Sequence, residues 1–115
     1  MHFIQTEGVS EGEIEMTKTI RSEVEEFAEA MELELMKHDD RPGWKGCDPF
    51  WLLGRLNEEV KELESVLKDP NRDGKVSRVR EEGADVGNFA MMITDVIKED
   101  WLKRTSKLNL TSDFM

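Results

Sequence analysis

The sequence predicts an all-α fold: an antiparallel bundle of three to four helices, assembled as a dimer or tetramer. Three observations predict it. Apolar residues recur at three-to-four spacing in three long segments; proline and glycine gather between those segments; and no stretch alternates apolar and polar residues as a half-buried strand does. Three amphipathic faces then have to cover one another or the same faces of a second copy.

Taking the elements in order, Ile20, Val24, Phe27, Met31 and Leu35 share one helical face, and Ser10 with Glu13 has the form of a capping box. A helix over residues 11–37 is expected. From His38 to Cys47 the periodicity stops and Pro42, Gly43 and Gly46 appear, which reads as a loop. Asp48 followed by Pro49 supplies an N-cap and a first-turn proline. The second helix carries Leu53, Leu56, Val60, Leu63 and Leu67 and stops at Asp69-Pro70, because proline drives the preceding residue out of the helical region. Its expected span is 49–68. After a polar link, Ser77 is placed to cap a third helix whose face is Val79, Val86, Phe89, Ile93 and Val96 or Ile97, ending near Lys103. Trp51 and Trp101 read as core or interface residues. Residues 1–10 and 105–115 read as tails, flexible or in contact with another subunit.

With 115 residues the chain is the size of one domain, 1–115. A single cysteine, Cys47, allows no internal disulfide, and no apolar run reaches the roughly 18 to 20 residues of a membrane span, so a reduced, cytoplasmic setting is expected, without membrane. The formal charge of −10 repels phosphate backbones, which argues against nucleic acid as partner and is compatible with divalent cations.

Glutamate is so common here that the text pattern E-x-x-E carries little by itself. The first helix alone repeats it at Glu23, Glu26, Glu29 and Glu32, but at about 100° per residue these turn away from the Val24, Phe27 and Met31 face and read as solvated. Glu82 differs, because Val86, Phe89, Ile93 and Val96 project within about 40° of it, in the middle of an apolar face. Asp85 and Asn88 follow along one edge of that face. On the second helix Glu58, Glu59 and Glu62 form another acidic patch, with Glu59 nearest the packing edge. Carboxylates gathered near a core repel and take up protons unless a cation neutralises them. With no histidine or cysteine among them, the oxygen donors suit Mg²⁺, or Mn²⁺ in its place, better than zinc. The competing expectation is an interhelical salt bridge from Arg78, Arg80 or Lys61 to Glu82 and Asp85.

Glu58-Glu59-Val60-Lys61-Glu62 and Glu81-Glu82-Gly83-Ala84-Asp85 resemble the E-E-x-x-E and E-x-x-D motifs of the MazG-like, all-α nucleoside triphosphate pyrophosphohydrolases. The resemblance covers roughly residues 53–96. The first helix and the loop His38-Asp39-Asp40-Arg41-Pro42-Gly43-Trp44-Lys45 are also similar to small, phage-associated members that act on purine deoxynucleotides. The resemblance implies a Mg²⁺ site of Glu59, Glu62, Glu82 and Asp85, with Glu58 and Glu59 as catalytic carboxylates, Glu58 being a further ligand or the group that orients the attacking water. It also implies release of monophosphate and pyrophosphate, a homodimer or homotetramer, and the cytoplasm of a bacterial or phage-infected cell. Candidate substrate contacts are Trp44 as a base platform, Lys45, Lys75 and Arg78 toward the triphosphate, and Asn88 toward a sugar hydroxyl or phosphate.

Three other readings compete. Residues 69–77 match the first nine positions of a helix–loop–helix calcium site, but the twelfth is Arg80 instead of a bidentate glutamate, so an ordinary polar turn is expected. Phosphoribosyl-ATP pyrophosphohydrolases resemble the same motifs. A non-enzymatic helical interaction module would leave the acidic patches as solvated faces.

Overall fold

The computed structural model describes residues 6–7, 11–12 and 19–113, with side chains from 19 to 106. A two-residue antiparallel ladder, β1 (Thr6–Glu7) with β2 (Glu11–Gly12), precedes three helices: α1 (Ser22–Met36), α2 (Pro49–Lys68) and α3 (Lys75–Asp113). The fold is all-helical beyond that ladder.

Helix α2 has the bounds the sequence signals give it. Trp51 N donates to the Asp48 carboxylate at 3.0 Å, and Pro49 occupies the first turn, where no N–H is needed. The other two helices differ from expectation. Glu11 and Gly12 are extended, so the first helix begins eleven residues later than 11; Gly12 costs a helix interior about 1 kcal/mol against alanine, and the capping pair Ser10 and Glu13 lies outside the described residues. At the other end Ser77 is not a cap. Asp73 N donates to the Asn71 side chain at 3.0 Å, Gly74 takes a left-handed turn at φ 68°, and α3 starts at Lys75. With no proline or glycine beyond Lys103, α3 runs on to Asp113 and absorbs most of the expected C-terminal tail.

Helix α3, 39 residues and therefore about 58 Å long, is the spine against which both α1 and α2 pack. The link between α2 and α3 is short, so the pair folds back as a hairpin. Residues equally far from the turn are brought level: Glu59, nine before the end of α2, meets Glu82 and Asp85, seven and ten after the start of α3. Glycine sets the approach of α1. A Cβ on Gly87 would sit 2.8 Å from a Phe27 ring carbon and 3.3 Å from Met31 Sδ, so any larger residue would have to push these α1 side chains aside.

The buried face of α2 is not the one its leucines suggest. Leu52 is fully buried and Glu59 is only 7% exposed, whereas Leu53, Val60 and Leu67 face outward. The helix is turned so that its carboxylate points at α3, and Leu52, Leu56, Leu63 and Val66 form the packed edge. Ala84 and Asn88 mark the matching centre of α3, and Ala30 that of α1. Trp51 and Trp101 are exposed, so neither belongs to this chain's core.

Candidate active site

Hairpin geometry places Glu59, Glu82 and Asp85 together, with one carboxylate oxygen of each within 4.8 Å of the others. A turn of α3 separates Glu82 from Asp85, and Glu59 meets them from α2. Glu59 Oε1 and Glu82 Oε1 are shielded from solvent and have no hydrogen-bond partner. Among the described residues, no lysine or arginine nitrogen lies within 4 Å of Glu82 or Asp85, so the expected salt bridge from Arg78, Arg80 or Lys61 does not form.

The electrostatic consequence is large. Burial, then the charges of Glu62, Asp85 and Glu59, push the Glu82 carboxyl up to about 7. Asp85 is pushed up to about 6, again by burial first and then by Glu34 and Glu59, with Lys37 opposing. Glu59 is raised by the same desolvation, with Glu62 adding to it and Arg55 opposing. Unpaired carboxylates in such a place hold protons near neutral pH or hold a cation. The donor set is all oxygen, its atoms are close enough to share one ion, and two of them lack any other partner. These residues therefore fit a hard divalent cation.

The remaining sequence candidates fall in four places. Glu62 is exposed and acts on Glu82 through its charge, while Glu58 is exposed and ion-paired to Arg55. Asn88 is 3% exposed; its Nδ2 donates to Met31 O at 3.0 Å and tethers α1, and its Oδ1 has no partner. Because only the amino end can donate to that carbonyl, the side chain's orientation is fixed. Trp44 and Lys45 converge on α3: the indole N–H and the ammonium both donate to Asp95 Oδ2, at 2.8 and 2.7 Å, and Lys45 also reaches Glu99 at 3.0 Å.

Lys75 and Arg78 are not at the cluster. Lys75 donates to the carbonyls of Leu67 and Asp69, and Arg78 reaches the Asp69 carboxylate and the carbonyls of Asn71 and Asp73. Both close the α2–α3 link. There the resemblance to a calcium loop ends, since a guanidinium supplies the positive charge among those oxygens.

A cleft of about 420 Å³ opens beside the carboxylates, with Glu59, Asp85 and Asn88 at one side and Trp44, Trp51 and Phe89 among its walls. Arg55 lines it too. Its Nη2 donates to Glu59 Oε2 at 3.3 Å, its Nη1 to Glu58, and its guanidinium sits 5.1 Å from the centre of the Phe89 ring. Arg55 is not among the residues the sequence points to, although its spacing of three and four to Glu58 and Glu59 on one helix is a sequence signal for this contact. Glu34, which lines the cleft and raises Asp85, carried no such signal, because α1 reaches the site only through tertiary packing. Asp95 and Glu99 likewise show their part only once the loop after α1 lies against α3. Among the described residues, no helix is long and apolar enough to cross a membrane. No protein-family model matches the chain, and no curated protein or solved structure does.

Proposed function

We propose that the cleft is the active site of a Mg²⁺-dependent nucleoside triphosphate pyrophosphohydrolase, cleaving (d)NTP and water to (d)NMP and pyrophosphate, with a purine deoxynucleotide as the preferred substrate. The observation that carries this reading is the convergence of Glu59, Glu82 and Asp85 with buried, unpartnered oxygens and no cationic side chain on Glu82 or Asp85. Three acids inside one helical interface destabilise the fold, and a ligand that relieves them repays that cost.

Glu59, Glu82 and Asp85 would hold Mg²⁺, with Glu62 one turn along α2 completing the acidic set. When bound, the ion neutralises charge on the phosphates and on the leaving pyrophosphate. The protein does the rest by positioning. Glu58 and Glu59 accept hydrogen bonds from a water and aim it at the α-phosphorus. The new P–O bond forms as the bridge to the β-phosphate breaks, and the water's proton passes to Glu58, the carboxylate of the pair that the ion does not need as a ligand. Trp44 is held in place by Asp95, so its ring is a rigid wall on which a base can stack, while Asn88 faces the sugar side. The resemblance of the two acidic motifs to MazG-like enzymes supports the same chemistry.

A homodimer or homotetramer is part of this proposal. Val24 on α1 and Leu53, Val60 and Leu67 on α2 are apolar residues that the single chain leaves exposed, as a bundle completed by a second copy would require. Light scattering after gel filtration reads it directly. The function itself is tested by pyrophosphate release from eight ribo- and deoxyribonucleoside triphosphates, with Mg²⁺ and with chelator, on wild type and Glu82→Gln. Metal-dependent release from at least one of them, lost in the variant, is expected. If none is cleaved while both proteins fold, the reading fails, and phosphoribosyl-ATP and then protein partners are the next ligands to assay.

A further inference from the structure

We propose that Arg55 is the anchor for the anionic tail of the substrate: its guanidinium, which here holds Glu58 and Glu59, hands its N–H donors to phosphate oxygens when a polyphosphate enters the cleft. The inference deepens the hydrolase reading and rests on it for the nucleotide, though the anion site is open to test by itself.

The chain is strongly acidic and the cleft borders a carboxylate cluster, so a triphosphate meets repulsion unless fixed positive charge lies beside its path. The cations expected to supply that charge are committed elsewhere. Lys45 is held by Asp95 and Glu99, and Lys75 and Arg78 close the α2–α3 link. Arg55 lines the cleft and touches the cluster through Glu59.

Its surroundings suit exchange of one oxyanion for another. The guanidinium lies over the Phe89 ring, 5.1 Å from its centre, which leaves the N–H edge to be satisfied by whatever anionic oxygens stand in front of it. In this structure those oxygens belong to two carboxylates, which present the charge and spacing that phosphate oxygens also present. Glu58 is well exposed and loses little on being released to water. Glu59 is released to the use its position in the cluster suggests. Arg55 itself is about one-third exposed, so its donors are reachable without unfolding the hairpin.

Inorganic triphosphate, which carries the tail without base or sugar, is the probe. Its binding is measured by calorimetry at pH 7.5 with Mg²⁺ on wild type, Arg55→Met, Arg55→Lys and Arg72→Met. Wild type binds; Arg55→Met weakens binding tenfold or more; Arg55→Lys falls between, because an ammonium keeps charge but loses the fork; Arg72→Met, which removes an exposed guanidinium of the α2–α3 link outside the cleft lining, changes affinity less than twofold. In turnover, Arg55→Met raises KM for the triphosphate at least tenfold with a smaller change in kcat, and the preference for triphosphate over monophosphate binding collapses. A purely structural role would weaken both nucleotides alike. The proposal is overturned if wild type does not bind inorganic triphosphate, if Arg55→Met or Arg55→Lys binds it as wild type does, or if Arg72→Met loses as much. Arg55-dependent binding without cleavage of any nucleotide would refute the hydrolase and keep the anchor. Cleavage with KM unchanged in Arg55→Met would do the reverse.

Discussion

Two acidic regions of the hairpin are handled in opposite ways. At the link, Asp69 accepts from Asn71 N and from Arg78, Asp73 is tied in through its backbone, its N–H to the Asn71 side chain and its carbonyl to Arg78, and the Asn71 N–H first and then Arg78 hold the Asp69 carboxyl below its ordinary value. Two to three turns away from the link, Glu59, Glu82 and Asp85 meet with buried oxygens left over, and all three are raised. In the sequence the link looks the more like a metal site, with alternate Asp, Asn, Asp and a glycine. Partner accounting reverses that order: charges satisfied by the chain form a turn, and charges the chain leaves unsatisfied await a ligand.

The largest effect that sharpens this contrast is on turnover. Glu82→Gln or Asp85→Asn is expected to lower metal-dependent pyrophosphate release at least 100-fold, equivalent to about 2.7 kcal/mol of transition-state stabilisation. Asp73→Asn at the link is expected to change it less than twofold. Equal losses at both places would erase the distinction.

Next in size is the packing that brings α1 to the cleft. Gly87→Leu drives a side chain into Phe27 and Met31 and is expected to cost about 1–3 kcal/mol by denaturant unfolding. At Gly83 a Cβ meets only Phe27, at an ordinary 3.7 Å, so Gly83→Ala is expected to stabilise α3 by up to about 1 kcal/mol. Loss at Gly83 with tolerance at Gly87 would mean that α1 seats differently.

The two regions also carry opposite signs in pH. Glu82 and Asp85 bind protons more tightly folded than unfolded, so stability of the metal-free protein rises as pH falls from about 7 toward 4. Asp69 is depressed, so its contribution is present above the ordinary carboxylate range and is lost as pH drops through the lowered value. Thermal melts in chelator are expected to show a higher midpoint at pH 5 than at pH 8, and the rise to shrink in Glu82→Gln. Saturating Mg²⁺ at pH 8 is expected to recover the same stability by binding. The smallest effect is that of Arg78→Ala, a slightly lower midpoint with the pH profile of the cluster kept.

Much of this was legible in the residues. Asp48-Pro49 and Asp69-Pro70 bound α2 because caps and proline act locally, and the 3.6-residue phase alone set Glu82 among Val86, Phe89, Ile93 and Val96. What escaped was set by tertiary contacts. The leucines of α2 offered two overlapping faces, and only α3 decided that Leu52 and Glu59 turn inward while Leu53 and Val60 stay out. The pairing of Trp44 and Lys45 with Asp95 joins residues fifty apart, beyond the reach of any periodicity. Arg55 looked like one more surface helix cation until Phe89 came to lie beneath it.

The most direct test of the central claim is a Mn²⁺ titration followed by electron paramagnetic resonance on wild type, Glu82→Gln and Asp73→Asn. Wild type and Asp73→Asn are expected to bind the ion alike, and Glu82→Gln to lose the site. Binding abolished by Asp73→Asn, or untouched by Glu82→Gln, would contradict the account.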